Sequence, residues 1–419
     1  MKDRQVIGRG LIAIKGKRII YVGEDGKVHV KAEKVIEGKH TIAMPGLVNC
    51  HTHVAMTLFR GIAEDRRLND WLKNVIWPLE AKLKPQDVYY GALLGCLEMI
   101  KSGTTCFADM YFYEDMVAKA VGEAGLRAVL ASGVIEAGDK RRGEKMLRDG
   151  VEFAEKYHKT FGGRVYARLA PHATYTCSPN LLAKIGEEAS KLGVGVHIHL
   201  AESKEMAKLV RKKYGCSEVE LLEKLGLLNL DVLAAHCIHL SRRDMKLMAK
   251  RGVKVAYIPV ANMKIASGVA RVKELMEIGM TVGIGTDGPA SNNSLDMFEN
   301  MKFASLLQKV YYLDPRLLPA YEVVKMATLG GARALSLDKE IGSLEAGKKA
   351  DIILVDVKRP HLTPMHDPYA SLAYSACGSD VKTVIVDGNI LMENWKVKVL
   401  DEEEVIEKAE ETALNLLHR

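Results

Sequence analysis

The chain has 419 residues, 48% of them hydrophobic, which is too long for one ordinary domain and fits one large barrel with a smaller appendage. Its net charge of +7 is spread over 60 basic and 53 acidic residues, and the densest basic patches, Lys140–Arg142 and Arg211–Lys213, lack interleaved aromatic residues, which argues against a nucleic-acid platform. No apolar run is long enough to span a bilayer, and the polar N-terminus lacks a signal-peptide core, so we expect no membrane association.

The seven cysteines are scattered along the chain without a CxxC pair. An odd, unclustered set argues against a disulfide framework and favours a reducing compartment. We therefore expect a cytoplasmic protein.

The first forty residues have the pattern of short strands separated by glycine turns. The predicted strands are Leu11–Lys15, Arg18–Val22, Lys27–Val30 and Lys34–Glu37.

In the middle of the chain, short apolar segments alternate with amphipathic helical stretches. The predicted strands are Gly46–His51, Thr105–Met110, Arg127–Val134, Val165–Ala170, Gly195–Leu200, Val232–His236, Val253–Ile258 and Thr281–Thr286. Examples of the predicted helices are Gln86–Ser102, Pro179–Leu192, Glu218–Leu225 and Ser241–Arg251. Eight strands that alternate with helices are typical of an α/β protein with a (β/α)8 TIM barrel. A doubly wound open sheet is the competing interpretation, but no glycine-rich fingerprint follows the first strand.

A second β-rich region lies near the C-terminus. Its predicted strands are Asp351–Val355, Thr383–Val386 and Lys396–Leu400, and a helix is predicted over Glu402–Leu417. We expect both ends of the chain to build one small β-sandwich domain. The predicted division is residues 1–44 and 341–419 for this domain and its terminal helix, and 45–340 for the barrel.

Polar side chains collect at the carboxyl ends of the predicted barrel strands, where barrel enzymes place their active sites. The first strand ends in His51 and His53, the fifth in His197 and His199, the sixth in His236 and the eighth in Asp287. Because side chains alternate along a strand, His51 and His53 should point the same way, into one barrel mouth.

This combination of residue types predicts a metal centre. Three imidazoles and a carboxylate suit a borderline divalent ion such as Zn²⁺ and leave a position for water. A water on such an ion loses its proton near neutral pH. Glu202, three residues beyond His199, is well placed to take and redeliver that proton.

Four segments resemble one known superfamily: MPGLVNCHTH, HIHLAES, LAAHCIHL and GIGTDGPASNNSLDMF, together with the tail segment Ile341–Asp351. They resemble the amidohydrolase superfamily, and within it the 5'-methylthioadenosine and S-adenosylhomocysteine deaminases, including archaeal 5'-deoxyadenosine deaminases. The similarity covers essentially the whole chain, although family members usually carry an additional strand before the position where this sequence begins. It implies a hydrolytic deaminase that converts adenosine-type nucleosides to inosine analogues plus ammonia.

The resemblance also implies a set of catalytic residues. His51, His53, His199 and Asp287 would bind one divalent metal ion, with Zn²⁺ expected, because Pro171-His172 stands where two-metal branches have a bridging lysine. Glu202 would protonate N1 of the purine. Asp287 would also accept the proton of the water, and His236 would orient the attacking hydroxide.

Substrate contacts follow from the same resemblance. Glu80 matches a carboxylate that holds the ribose hydroxyls, His172 a residue near the base, Trp71 one near the 5' end and Ser291 a hydroxyl near the substrate.

The resemblance also bears on which 5' groups the site accepts. Members that accept S-adenosylhomocysteine well use two arginines for its carboxylate. Here Ser132 replaces one of them, and Arg141 or Arg142 is the remaining loop candidate. We therefore expect compact 5' groups to be favoured over S-adenosylhomocysteine.

Two residues near the metal histidines have structural interpretations. We predict His197 to be a satisfied interior histidine, and Cys50 to pack on the side of its strand opposite the metal site.

The functional alternatives are other branches of the superfamily, namely guanine or cytosine deaminases and chlorohydrolases, and more remotely a non-catalytic binding protein. The resemblance further implies a homotetramer and a role in salvage of S-adenosylmethionine by-products.

Overall fold

The computed structural model describes residues 4–29, 31–62 and 64–419. The strands are β1 (Gly10–Lys15), β2 (Arg18–Glu24), β3 (Thr41–Pro45), β4 (Leu47–Thr52), β5 (Thr104–Tyr111), β6 (Arg127–Val134), β7 (Val165–Pro171), β8 (Gly195–Leu200), β9 (Val232–His236), β10 (Lys254–Tyr257), β11 (Val282–Ile284), β12 (Ile352–Asp356), β13 (Val381–Val386), β14 (Asn389–Glu393) and β15 (Lys396–Val397). Strands β4 to β11 form one eight-stranded sheet in sequence order, and every neighbouring pair is parallel.

The two edges of this sheet meet and close it into a barrel. The backbone N–H of Asp287, just beyond β11, donates to the carbonyl of His51 in β4 at 3.0 Å. Beside this bond, the Asn49 side chain accepts from the Thr286 N–H at 3.0 Å and donates to the Thr286 hydroxyl at 2.8 Å. The predicted barrel is therefore confirmed, and the open doubly wound sheet is wrong.

Helices cover the outside of the barrel, as parallel strands with two buried faces require. The α-helices are α1 (Leu68–Trp71), α2 (Trp77–Glu80), α3 (Pro85–Lys101), α4 (Glu114–Ala124), α5 (Lys140–Tyr157), α6 (Thr160–Gly163), α7 (Pro179–Leu192), α8 (Lys204–Tyr214), α9 (Glu218–Lys224), α10 (Arg242–Lys250), α11 (Pro259–Lys264), α12 (Val272–Glu277), α13 (Met297–Tyr312), α14 (Ala320–Lys325), α15 (Gly331–Ala334), α16 (Pro368–Tyr374) and α17 (Glu402–Leu417). Helix α7 begins and ends where its capping residues predict. The Ser178 hydroxyl caps its first turn, Pro179 opens it, and Gly193 ends it with φ of 65°.

Both ends of the chain build the small β-sandwich. One sheet has the order β15-β14-β13-β12-β3, and the β1–β2 hairpin is the second layer. Buried Ile19 from the hairpin and Ile352 and Ile385 from the sheet share one apolar core. The predicted two-ended sandwich is confirmed, with the helix at Glu402–Leu417 in its predicted place.

Two of the predicted N-terminal strands are wrong. Residues 27–28 form a bend and residue 29 is irregular, residues 34–37 pair with no strand of the described residues, and Val30 lies outside them. Val35 is 80% exposed, whereas Ile36 packs partly buried against the core of the small domain without joining a strand. Strand β3 pairs antiparallel with β12 instead, and β14 is a further strand that the pattern did not predict.

A buried ion cluster ties the barrel to the small domain. Arg127 at the start of β6 contacts Asp351 at 2.9 Å and Asp387 at 2.6 Å, and all three side chains are buried. Within the described residues, no helix is long and apolar enough to cross a membrane.

Candidate active site

The backbone turns sharply where the barrel strands end. Four residues other than glycine adopt left-handed backbone conformations there: Ala201 (φ 51°), His236 (φ 69°), Cys237 (φ 54°) and Asp287 (φ 68°). Such conformations cost about 1–2 kcal/mol each and persist where the surroundings over-determine them. Their clustering at one end of the barrel marks this mouth as the functional end.

Three imidazoles converge in the barrel mouth. The ligand atoms offered by His51, His53 and His199 all lie within 4.8 Å of one another. The Asp287 Oδ1 atom lies 3.3 Å from His53 Nε2 and 3.7 Å from His51 Nε2. The four residues that the resemblance selected are thus brought together.

Hydrogen bonds to the far side of two rings fix their tautomers. His53 Nδ1 donates to the Met110 carbonyl at 2.5 Å, and His199 Nδ1 donates to the His172 carbonyl at 2.8 Å. Their Nε2 lone pairs therefore face each other at 3.3 Å. Burial lowers the pKa values of His51 and His199 well below their usual value, which favours the neutral rings that a metal ion requires.

The donor set fits a cation. The buried Nε2 atom of His51 has no hydrogen-bond partner in the described part of the chain and belongs to the imidazole cluster. Facing lone pairs repel one another unless a positive charge lies between them, and outer hydrogen bonds of this kind are typical of metal-binding histidines.

His197 lies directly beneath this cluster. It is buried, as predicted, and its Nε2 atom is 2.9 Å from His51 Nδ1. Its own Nδ1 has no hydrogen-bond partner among the described residues, so His197 is interior as predicted but only its Nε2 atom is satisfied. The contact holds the His51 ring in place from below.

Cys50 does not lie on the opposite side of its strand. A β-carbon on Gly283 in β11 would collide with the Cys50 sulfur, and one on Gly285, just beyond β11, would meet the His51 backbone N at 2.9 Å. Cys50 and His51 therefore lie against successive inward glycines of the same barrel strand. A register shift between Asn49 and Thr52 interrupts the alternation on which the prediction relied.

Glu202 and His236 stand on the open side of the imidazoles. His236 Nε2 lies 3.8 Å from Glu202 Oε1, while His236 Nδ1 donates to Asn262 Oδ1 at 2.9 Å. Burial raises the pKa of Glu202, and His236 opposes this shift. Asn262 was not predicted, and its place after the seventh barrel strand is the one feature of the sequence that points to it.

These groups open onto one pocket. Among its lining residues are His53, Trp71, Glu80, His172, His199, Glu202, His236, Asp287 and Ser291. Tyr111 and Tyr175 also line it and were not predicted. His51 is fully buried beneath it, so ten of the eleven predicted site residues are gathered at this pocket, and Arg142 is not.

One helical segment covers the pocket. Helix α1, a π-helical turn over Leu72–Ile76 and helix α2 run on without a break, and we call Leu68–Glu80 the lid. Its pocket-lining residues are Leu68, Trp71, Leu72, Ile76, Trp77 and Glu80. Burial raises the pKa of Glu80 to about 7, and Tyr111 and Arg142 oppose the shift.

Arg142 lies in an outer groove of about 640 Å³ that continues the pocket past Glu80. Trp77, Glu80 and Gly133 line both spaces, whereas Ser132 and the exposed Arg142 line only the groove. The loop arginine is therefore placed beyond the pocket, on the first turn of α5.

A second ligand-like group lies in the small domain. His361 Nε2 is 2.9 Å from Asp380 Oδ2, and the Cys377 sulfur is 3.4 Å from the same oxygen. The Arg359 side chain already lies 3.7 Å from Asp380 Oδ1. Because this cluster has its own cation, we assign it no metal.

A TIM barrel whose strand ends gather imidazoles, a carboxylate and a buried acid defines the class as a barrel enzyme with a metal site. The amidohydrolase family profile matches residues 42–391.

Known proteins of similar sequence and structure bear the names of deaminases. The 5-methylthioadenosine/S-adenosylhomocysteine deaminase of Desulforudis audaxviator is 50% identical over 410 residues, which is 97% of this chain and 95% of that protein. The 5'-deoxyadenosine deaminase of Methanosarcina barkeri is 49% identical over 417 residues, 100% and 96% of the two chains. A crystal structure of an adenosine deaminase from Xanthomonas campestris with bound zinc is similar with a TM-score of 0.94 and 32% identity, covering 98% and 94%. The chain belongs to the amidohydrolase family and is a hydrolase.

Proposed function

We propose that this enzyme deaminates adenosine-type nucleosides by hydrolysis at C6 of the purine. The proposed substrates are 5'-deoxyadenosine, 5'-methylthioadenosine and adenosine, with S-adenosylhomocysteine a poorer one. The observation that carries the proposal is one pocket that combines the imidazole cluster and Glu202 with Glu80. Two relatives at about half identity bear names of such deaminases, which supports the choice of substrate.

We propose that His51, His53, His199 and Asp287 hold one Zn²⁺ ion. When bound, the ion supplies a Lewis acid and makes water a nucleophile at neutral pH. Pro171 ends the fourth barrel strand, β7, and His172 follows it, where a bridging lysine would be needed for a second ion.

The remaining steps belong to the protein's own groups. Glu202, whose raised pKa favours a carried proton, delivers it to N1 of the purine. Asp287 takes the proton that the attacking water loses. His236, held through Nδ1 by Asn262, presents Nε2 to the reacting oxygen. Asp287 then passes this proton to the C6 amino group, which leaves as ammonia, while the C6 hydroxyl becomes the carbonyl and returns its proton to Glu202.

Other branches of the family share the metal ligands, so the metal site does not separate a nucleoside deaminase from a base deaminase or a chlorohydrolase. Glu80 supports the nucleoside. A carboxylate accepts hydrogen bonds from two vicinal hydroxyls, and neither a free base nor a triazine has them. A non-catalytic protein is disfavoured because the ligand set, Glu202 and His236 are all present.

The test is ammonia release, with the adenosine-to-inosine absorbance change, for the zinc-loaded enzyme. The panel is 5'-deoxyadenosine, 5'-methylthioadenosine, adenosine, S-adenosylhomocysteine, adenine, guanine and cytosine. We expect turnover of the nucleosides and none of the free bases. Turnover of free bases alone would contradict the proposal.

Glu80→Gln is expected to weaken nucleoside binding. An amide oxygen replaces a carboxylate that accepts two bonds, and a charge-assisted bond contributes about 1.5–3 kcal/mol, so KM should rise about 10- to 100-fold. Because the Glu80 pKa is raised to about 7, the accepting ionised form grows as pH rises, and wild-type KM should fall from pH 6 to pH 8.

The matched control for this prediction is Asp70→Asn on the same lid, whose carboxylate binds Arg66 and Asn74 instead of the pocket. It should leave KM unchanged. A KM for Glu80→Gln that equals the wild-type value at every pH would contradict the role in ribose binding.

The 5' preference makes a second prediction. Because Ser132 lines the groove beside Arg142 without offering a guanidinium, kcat/KM should be higher for 5'-deoxyadenosine than for S-adenosylhomocysteine. Ser132→Arg should raise kcat/KM for S-adenosylhomocysteine about tenfold, the effect of one added charge-assisted bond, and change that for 5'-deoxyadenosine little. A wild-type enzyme that prefers S-adenosylhomocysteine would refute the idea.

We also propose the division into residues 1–44 with 341–419 and 45–340, a homotetrameric assembly and a role in salvage of S-adenosylmethionine by-products. None of the seven cysteines is in a disulfide, which supports the proposed cytoplasmic location.

A further inference from the structure

Glu218 is a buried acid that the proposed chemistry does not use. It is the first residue of α9 and only 5% exposed. No basic side chain forms an ion pair with it among the described residues, and its Oε1 atom has no side-chain or backbone hydrogen-bond partner of good geometry. Burying a carboxyl without a cation is costly, so such a group usually has a task.

The carboxyl of Glu218 lies between two segments of the active site. Its Oε2 atom accepts a hydrogen bond from the Thr174 hydroxyl at 2.5 Å. The backbone N–H of Ala201 lies beside the same carboxyl and lowers its pKa, against the burial that raises it to about 7. One side chain thus reaches both the loop after β7 and the turn after β8.

The turn at Ala201 decides where Glu202 points. Ala201 holds a left-handed φ of 51°, which alanine adopts only under constraint. Its carbonyl accepts from the N–H groups of Ile238 at 3.1 Å and His239 at 2.9 Å. Its own N–H lies beside the Glu218 carboxyl, so the residue before Glu202 has contacts on both sides.

The other contact of Glu218 supports the pocket wall. Thr174 lies between His172 and Tyr175, which both line the pocket. His172 is itself fixed by a 3.0 Å contact between its Nδ1 and the Thr176 hydroxyl.

Helix α9 does not need Glu218 for its own start. The Ser217 hydroxyl caps the helix by accepting a hydrogen bond from the Glu220 N–H at 3.1 Å. The Ser217 N–H in turn donates to the Glu220 carboxylate at 3.0 Å. The capping box is complete without Glu218.

We propose that Glu218 is a positioning residue that holds the Ala201 turn and Thr174 so that Glu202 meets the purine ring. The inference rests on the proposed function only in giving Glu202 the proton. A carboxamide can keep both contacts, by accepting from the Ala201 N–H and donating to the Thr174 hydroxyl. An alanine keeps neither.

The experiment compares Glu218→Ala, Glu218→Gln and the control Glu220→Ala on the same helix. For Glu218→Ala we expect kcat on 5'-deoxyadenosine to fall about 10- to 100-fold, as misplacement of a catalytic group predicts, with KM changed less than about threefold and zinc content unchanged. Glu218→Gln should recover kcat to within about fivefold of wild type, and Glu220→Ala should retain it, since neither loses the contact that positions Glu202.

Amide hydrogen exchange of the peptide that contains Ala201 and Glu202 tests the same contact without any substrate. We expect faster exchange there in Glu218→Ala only. Unchanged exchange and unchanged kcat in Glu218→Ala would overturn the inference, and so would equal losses in the alanine and glutamine variants. An inactive wild type would instead defeat the proposed function, while the exchange result would still decide the role of Glu218.

Discussion

Glu202→Gln should abolish turnover of 5'-deoxyadenosine while leaving the protein folded and zinc-loaded. The glutamine keeps the shape of the side chain but cannot deliver a proton to N1. General acid catalysis contributes about 10²–10⁴-fold, and we expect kcat to fall by about 10³-fold or more. The measurement is single-turnover inosine formation, with KM or inhibitor binding determined in parallel.

The control is Glu205→Gln, an exposed carboxylate three residues further along the chain in the first turn of α8. It should behave like wild type. If Glu202→Gln keeps kcat within tenfold, the proton must come from another group, and His236 at 3.8 Å from Glu202 would be examined first.

Removal of the metal ion should have an effect of similar size. Chelation leaves the lone pairs of His51, His53 and His199 facing one another without a cation, and we expect turnover to fall by more than about 10³-fold, because the ion makes the nucleophile. One equivalent of Zn²⁺ per chain should restore it. The unfolding temperature should also fall, because an ion at about 1,000 times its Kd stabilises the folded state by about 4 kcal/mol.

Stoichiometry makes this prediction specific. A chain that needs two equivalents of Zn²⁺ for full activity would contradict the single-ion proposal. Asp287→Asn is the matched variant, because it keeps the size of the side chain and removes its charge. We expect it to bind Zn²⁺ more weakly and to stay inactive when the ion is restored.

The alternation of strands and helices predicted the barrel well, because parallel strands that are buried on both faces have nearly continuous apolar sequences. The predicted helices at Gln86–Ser102 and Ser241–Arg251 match α3 and α10 to within one residue. The predicted strands are wrong at residues 27–29 and 34–37 because local composition does not reveal whether a partner strand is present.

The site was predicted unevenly for physical reasons. Histidines at strand ends can be recognised from their position and residue type. The side of the strand on which Cys50 lies was predicted wrongly because a register shift in β4 breaks the two-residue alternation of side chains. The lid was not predicted as a helix, and its π-helical turn departs from regular helical spacing. Glu218 and Asn262 act through other side chains, and their part was visible only once the neighbours were known.

The lid places one group of pocket residues on a different part of the chain from the ligand cluster and Glu202. The ligand cluster and Glu202 come from strand ends spread over most of the chain, whereas Leu68, Trp71, Leu72, Ile76, Trp77 and Glu80 come from one short continuous peptide. If the proposed roles hold, a change in that peptide would alter which molecule is bound without disturbing the groups proposed to carry out hydrolysis. Such a layout allows descendants of one gene to acquire new substrates by mutation or exchange of a single small segment, and it gives protein engineers the same route.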